Sequence, residues 1–310
     1  MAEPPQSVAE IRVRRALAHH PAVRDLADGP LVAVHGGLGN DAWSAEHNGV
    51  RCFVRLGAAG AAEFGVDRGA ECALLGAVAA AGFAPGVIAC DAETGLLVTD
   101  FVEGRSWSVE DAGREANLRR IGALLRRLHA HEIPRHLRTV SFEQQAAGLG
   151  ARLAGLVDDR ACDVALRDRA QPVFAHLAGR PPSRTVCHND VHHLNVIDTG
   201  SRLWLVDWEY GGLGDPLFDL ASVLCQHELD EHRKSVFLDA YGLGGDERGT
   251  ALADACWVFD YVQWLWYRLW LQDHRDPEGT GAARRNRLAL RLLRCNNSAL
   301  DAGKGDAWPG

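Results

Sequence analysis

Hydrophobic and polar positions change their spacing once along this chain, near residues 100–105, and the change divides it. Before that point, LVAVHGG and GVRCFVRL within residues 31–56 are rich in Val, Leu and Phe. They are separated by Gly and Asn, and read as strands. Between them lies Gly36-Gly37-Leu38-Gly39-Asn40. Residues 66–81 (VDRGAECALLGAVAAA) carry Ala and Leu at helical spacing, with Gly82 closing the run. LLVTDFV at 96–102 reads as another strand. From about residue 105 the texture is helical: Ile121, Leu124, Leu125 and Leu128 recur at i, i+3, i+4 and i+7. Residues 143–178 continue it, and helices resume after Pro216 to about 298. The pattern predicts an α+β chain in two parts, residues 1–103 and 104–310, the first small and strand-rich and the second larger and mainly helical.

Residues 184–210 interrupt the helical part. A polar loop is followed by NVID, TGSR and LWLVD, which predicts a hairpin turning at Thr199-Gly200-Ser201. Centred on Ser201, that hairpin puts Asn195 and Asp207 opposite each other at its open end. An amide oxygen and a carboxylate together suit Mg²⁺. Asp190 lies five residues before Asn195, in reach of a hydroxyl beside such an ion. Phosphoryl transfer needs little more: a cation to offset phosphate charge and a group to orient or deprotonate the nucleophile. The spacing HxDxxxxN, with a further Asp twelve residues on, is specific. His188, which begins the loop, reads as a brace for its backbone.

Composition narrows the partners. The 310 residues are 47% hydrophobic and 24% charged, with a net charge of −8, which argues against nucleic acid and suits a cationic acceptor. The eight cysteines form no CxxC pair and no zinc-like cluster with histidine. The stretch MAEPPQSVAEIRVRR has early acid and proline and no apolar h-region, so a cytoplasmic protein with reduced thiols is expected. The most apolar window, Cys256–Leu271, is broken by Asp260 and Arg268 and falls short of the roughly 20 residues a membrane span needs. No membrane partner is expected.

CHNDxxxxN at 187–195 and VDWEYGGLGDPLFDLAS at 206–222 closely resemble the choline/ethanolamine kinase branch of the aminoglycoside phosphotransferase-like proteins. The resemblance extends over about residues 33–270. It implies a two-lobed protein-kinase-like fold, with a small antiparallel sheet and one helix in the N-lobe and a catalytic hairpin in the helical C-lobe. It implies ATP and Mg²⁺ as cofactors, Asp190 as catalytic base, Asn195 and Asp207 as magnesium ligands, and Asp219 as a brace for the catalytic loop. Gly37, Gly39 and Asn40 fall where that family has its nucleotide loop. Arg55 stands where protein kinases have lysine and this branch has arginine, with Glu71 as its partner. Val98–Glu103, including Asp100 and Val102, resembles the hinge whose backbone holds adenine.

For the acceptor, the resemblance points to aromatics on the helix near 256–271, with Trp266 the best match and Trp264 and Tyr267 behind it. Glu209 would serve the pocket or the outer shell of the metal. One departure stands out: where choline kinases carry a Glu seven residues after the Asp matched by Asp219, this chain has Gln226. The function implied is phosphorylation of an amino alcohol such as choline or ethanolamine, by a monomer or homodimer. Thiamine, an aminoglycoside or another hydroxylated metabolite is the alternative acceptor, and a nucleotide-binding pseudokinase the non-enzymatic alternative.

Overall fold

The computed structural model describes residues 7–34, 40–47, 49–132, 136–154, 160–181, 183–244 and 249–294. In chain order the elements are α1 (Val8–His19), β1 (Val32–Ala33), β2 (Asp41–His47), β3 (Val50–Leu56), α2 (Arg68–Ala80), β4 (Val87–Asp91), β5 (Leu96–Asp100), β6 (Arg105–Ser106), α3 (Val109–Ala112), α4 (Glu115–His129), α5 (Phe142–Leu153) and α6 (Arg160–Ala178). There follow β7 (Thr185–Cys187), β8 (Val196–Asp198), β9 (Leu203–Leu205), β10 (Gly212–Gly214), α7 (Leu217–His227), α8 (Glu231–Tyr241), α9 (Thr250–Asp273) and α10 (Thr280–Arg294). They form two compact units: Met1–Ser108 with Pro134–Leu137 and His193–Tyr210, and the remainder.

The first unit is built on an antiparallel sheet of order β1-β2-β3-β5-β4. Strand β3 alternates as its sequence predicts: Cys52, Val54 and Leu56 enter a core with Val13, Ala16 and Leu17 of α1, leaving Phe53 and Arg55 for the other face. Strand β2, which the hydrophobic pattern does not single out, buries Trp43 and Ala45 in that same core. Of the apolar LVAVHGG run, the described residues form the two-residue β1, an edge strand whose Val32 is exposed.

Cys72 of α2 and Cys90 of β4 form a disulfide, with Cα atoms 5.7 Å apart. This corrects the expectation of reduced thiols. Eighteen residues separate the pair, so no local spacing betrayed it. Cys52, Cys187, Cys225 and Cys256 are free and buried.

The hairpin β8–β9 pairs with β6 and belongs to this unit, although it lies late in the sequence. Its register differs by one from that expected. The turn is the pair Gly200-Ser201, with Gly200 at φ +87° and the Thr199 N–H donating to Arg202 O at 3.0 Å. Asn195 therefore stands opposite Val206, whose N–H donates to Asn195 O at 3.0 Å, and Asp207 lies one residue past the ladder. Leu205 N–H donates to Phe83 O at 3.1 Å and ties the hairpin to the rest of the unit.

In the second unit, the apolar stripe of α4 buries Leu118, Ile121, Leu125 and Leu128, and α4 packs on α8. The approach is close: a Cβ on Gly122 would lie 2.8 Å from Phe237 O. Helix α9 runs among α5, α6, α7 and α10. The charges that interrupt its apolar run are paired, Asp260 with Arg291 and Arg268 with Asp163. Among the described residues no helix is long and apolar enough to cross a membrane.

Candidate functional site

The sheet face left open by the α1 core carries a buried charge cluster centred on Arg55. Its Nη2 donates to Glu71 Oε2 at 2.8 Å, and its Nη1 lies 2.7 Å from Glu71 Oε1 and donates to Asp207 Oδ1 at 3.0 Å. Glu71 is presented by the first turn of α2, which is capped by Asp67 accepting from Ala70 N–H. Arg68, three residues earlier, donates through Nη1 to Glu71 Oε2 at 2.7 Å and Glu209 Oε2 at 3.0 Å, and through Nη2 to Asn40 Oδ1 at 3.1 Å. Asn40 Nδ2 also donates to Glu209 Oε2, at 3.0 Å.

Two guanidinium groups thus face three carboxylates. Burial pushes the Glu71 carboxyl up, but Arg55 and Arg68 outweigh it and hold the group below the usual carboxylate range. Burial likewise lowers Arg55, and the charge of Glu71 more than restores it. Glu209 is pushed up to about 7 by burial and by the charge of Asp207, against the pull of Arg55 and Arg68.

Asn195 is buried at the end of a 3-10 turn, His193–Asn195, and Asp207 is held at φ +62° just past β9. A left-handed non-glycine residue costs on the order of 1–3 kcal/mol and is retained only where surroundings over-determine it. The donor chemistry fits a magnesium ion. Asn195, Asp207 and Glu209 offer only amide and carboxylate oxygens, and the repulsion between Asp207 and Glu209 is what a divalent cation would offset.

In the second unit, β7 pairs with β10 and delivers the loop that begins at His188. Asp219, in the first turn of α7, clamps that loop: Oδ2 accepts from His188 N–H at 2.9 Å and Oδ1 from Asn189 N–H at 2.5 Å. Asn189 sits at φ +66°, the second left-handed position in the motif. His188 is fully buried, and its Nδ1 accepts from Asp190 N–H at 3.3 Å. Ser222 Oγ donates to Val191 O at 3.3 Å. Behind the clamp, His129 Nε2 lies 2.9 Å from Asp219 Oδ2, and its Nδ1 lies 2.9 Å from Tyr241 Oη. The product is an accessible carboxylate, Asp190, on a rigid backbone, with Oδ2 3.4 Å from His192 Nε2.

Residues 30–253 match the model of the phosphotransferase enzyme family. The chain belongs to the phosphotransferase enzyme family.

A choline/ethanolamine kinase family protein from Mesorhizobium loti shares the fold, with a TM-score of 0.76 at 24% identity over 96% of this chain and all of that one. Local likeness is higher to a LicA homolog of Metamycoplasma hominis, 44% identical over 55 residues, and to a thiamine kinase of Escherichia coli, 42% identical over 57 residues. Those matches cover 18% of this chain and 22% and 20% of the two relatives, so the chain spans about a fifth of the curated relatives it matches.

Along α9 the aromatic side chains differ in burial. Trp264 is buried, stacked on Tyr261 with the Arg268 guanidinium 4.8 Å from its ring, and so belongs to the core. Trp266 and Tyr267 are half-buried and meet edge to face at 5.1 Å. Gln226 Oε1 accepts from Arg284 Nη2 at 3.2 Å. Glu209 is tied to Arg68 and Asn40, which places it with Asp207 in the first unit rather than on α9. Asp100 ends β5, with its N–H donating to Gly86 O at 2.8 Å, and Val102 follows it. Gly37 and Gly39 lie outside the described residues.

Sequence reasoning missed Arg68, His129, Tyr241 and Ser222. Arg68 carried a signal, since it stands at i, i+3 to Glu71. His129 and Tyr241 carried none, because 112 residues separate them.

Proposed function

We propose that this protein is an ATP-dependent small-molecule kinase that transfers a phosphoryl group to the hydroxyl of an amino alcohol. The observation that carries the reading is the clamp of Asp219 on the His188 and Asn189 N–H groups, which fixes the loop presenting Asp190. Asp190 accepts the proton of the acceptor hydroxyl as the new bond to phosphorus forms. Arg55, kept charged by Glu71, binds nucleotide phosphate, and the backbone near Asp100 and Val102 holds the base. Asn195 and Asp207 hold Mg²⁺, which offsets charge on the phosphates when bound. A cytoplasmic setting, rich in adenine nucleotide and magnesium, suits this chemistry.

Gln226 favours a second reading of the acceptor, because a neutral amide supplies no counter-charge for a bare ammonium; thiamine, whose positive charge is spread over a thiazolium ring, or another hydroxylated metabolite then takes its place. The test is ADP release from Mg²⁺-ATP with choline, ethanolamine, thiamine and aminoglycosides, with Asp190→Ala as control. Acceptor-dependent turnover lost in the variant supports the kinase. Nucleotide binding without turnover for any acceptor leaves a pseudokinase.

A further inference from the structure

Gln226 is not merely neutral; it carries a cation. Arg284 of α10 donates to its Oε1 at 3.2 Å, and the acid that meets the same guanidinium, Glu228, is 3.6 Å away and 62% exposed. The position faces the catalytic loop. Asp219, Ser222 and Gln226 follow i, i+3 and i+7 on α7, and the first two hold the backbone of residues 188–191.

Tyr267, which meets Trp266 edge to face on α9, feels charges from both sides. Burial is the largest influence on its phenol and pushes it up, Arg284 and Arg287 pull it down, and Asp190 pushes it up, so all three charges act at one ring. The remaining nearby acid, Asp260, is already paired with Arg291. A half-buried guanidinium therefore stands beside Gln226, the position where the resemblance implies a carboxylate, and it repels a substrate whose only charge is an ammonium. Arginine is suited to carboxylates, which it binds through two parallel hydrogen bonds.

We propose that the acceptor is an amino alcohol that also bears a carboxylate, with Arg284 reading the carboxylate and the Trp266–Tyr267 pair facing the ammonium. One carboxylate matches one guanidinium, and an aromatic wall suits a cation. This rests on the reading of Asp190 as the phosphotransfer base, and the experiment separates the two.

Matched pairs differing by one carboxylate, ethanolamine with serine and 3-aminopropanol with homoserine, are assayed for ADP release and titrated calorimetrically against the Asp190→Ala protein with bound nucleotide. The carboxylated member of a pair is expected to win by roughly tenfold or more, the worth of a charge-assisted hydrogen bond. Arg284→Gln should erase that preference by raising KM for the carboxylated member, leaving kcat and the thermal midpoint close to wild type. Gln226→Glu, which adds a carboxylate beside Arg284, should move the preference to the simple amine. Turnover absent for every compound overturns the kinase reading, while the titrations still decide the inference. Equal or absent binding of the paired compounds, or amine preference in the wild type, overturns the carboxylate proposal.

Discussion

Arg55 Nη1 lies 3.0 Å from Asp207 Oδ1, so a side chain of the sheet and the residue just past the hairpin share one ion pair across 152 positions of sequence. The same guanidinium holds Glu71, which is almost wholly buried. Arg55→Ala should therefore destabilise the protein by about 3–5 kcal/mol, the cost of leaving buried carboxylates without their cation. Arg55→Lys should lose less stability, because the charge remains; if Arg55 binds nucleotide phosphate as proposed, it should also raise the nucleotide KM, because one ammonium cannot serve two carboxylates and a phosphate in the same fork. Urea denaturation and nucleotide titration of both variants check this, and equal stability in all three proteins would refute it.

The Glu71 carboxyl, held below its usual range against burial by Arg55 and Arg68, also sets a pH dependence. A depressed acid contributes stability above its unfolded value of 4.5 that is lost as pH falls through the lower folded value. The wild type should lose stability below about pH 4.5 more steeply than Glu71→Gln, which is less stable at neutral pH but lacks this titration. Denaturation midpoints between pH 3 and 7 decide; parallel curves would assign acid lability to other groups.

These charges show what a sequence discloses. The alternation in GVRCFVRL was enough to send Arg55 away from Cys52, Val54 and Leu56, because strand periodicity is a local property. The loop and hairpin were legible for the same reason. The hairpin register was not: it depends on whether the turn has one or two central residues, which TGSR does not settle until Gly200 is seen at positive φ. Nor was the Cys72–Cys90 bond legible, since it depends on how α2 lies along β4, or the polar chain from Tyr241 through His129 to Asp219, assembled from three separate helices.

The disulfide carries its own prediction. Closing an 18-residue separation should stabilise the oxidised protein by about 3 kcal/mol, through the unfolded chain it constrains. Cys72→Ser with Cys90→Ser should lower the midpoint accordingly and make it insensitive to reductant. Thiol labelling of the native oxidised protein should spare buried Cys52, Cys187, Cys225 and Cys256 until denaturant is added. Labelling of Cys72 before reduction would show that the bond does not form.

Asp219 accepts two backbone N–H bonds and contacts His129, so Asp219→Asn must turn an NH₂ group toward at least one donor. A lost buried hydrogen bond costs about 1–3 kcal/mol. With Asp190 as the proposed phosphotransfer base, its effect should fall on kcat, by about ten- to a hundredfold, because the loop then serves the transition state rather than nucleotide binding. Tyr241→Phe removes the outer contact on His129 and should cost less than tenfold, with nucleotide affinity unchanged in both. Loss of nucleotide affinity matching the loss of kcat would place the clamp's role elsewhere.

The two tryptophans of α9 should separate by function. Trp264 is buried against Tyr261 and under Arg268, whose own partner is Asp163, so Trp264→Ala removes a large core side chain and unseats a paired cation. Such truncations cost about 3–5 kcal/mol. Trp266 is half-buried, packed on Tyr267 and stacked with Trp270, and its truncation should cost far less stability. If the Trp266–Tyr267 pair faces the ammonium of the acceptor, Trp266→Ala should raise the acceptor KM by roughly tenfold, the worth of a desolvated cation–π contact, with the nucleotide KM unchanged. Trp266→Phe, which keeps an aromatic face, should recover most of the loss. The reverse outcome, acceptor KM rising in Trp264→Ala while Trp266→Ala only melts early, would exchange the roles of core and wall along this helix.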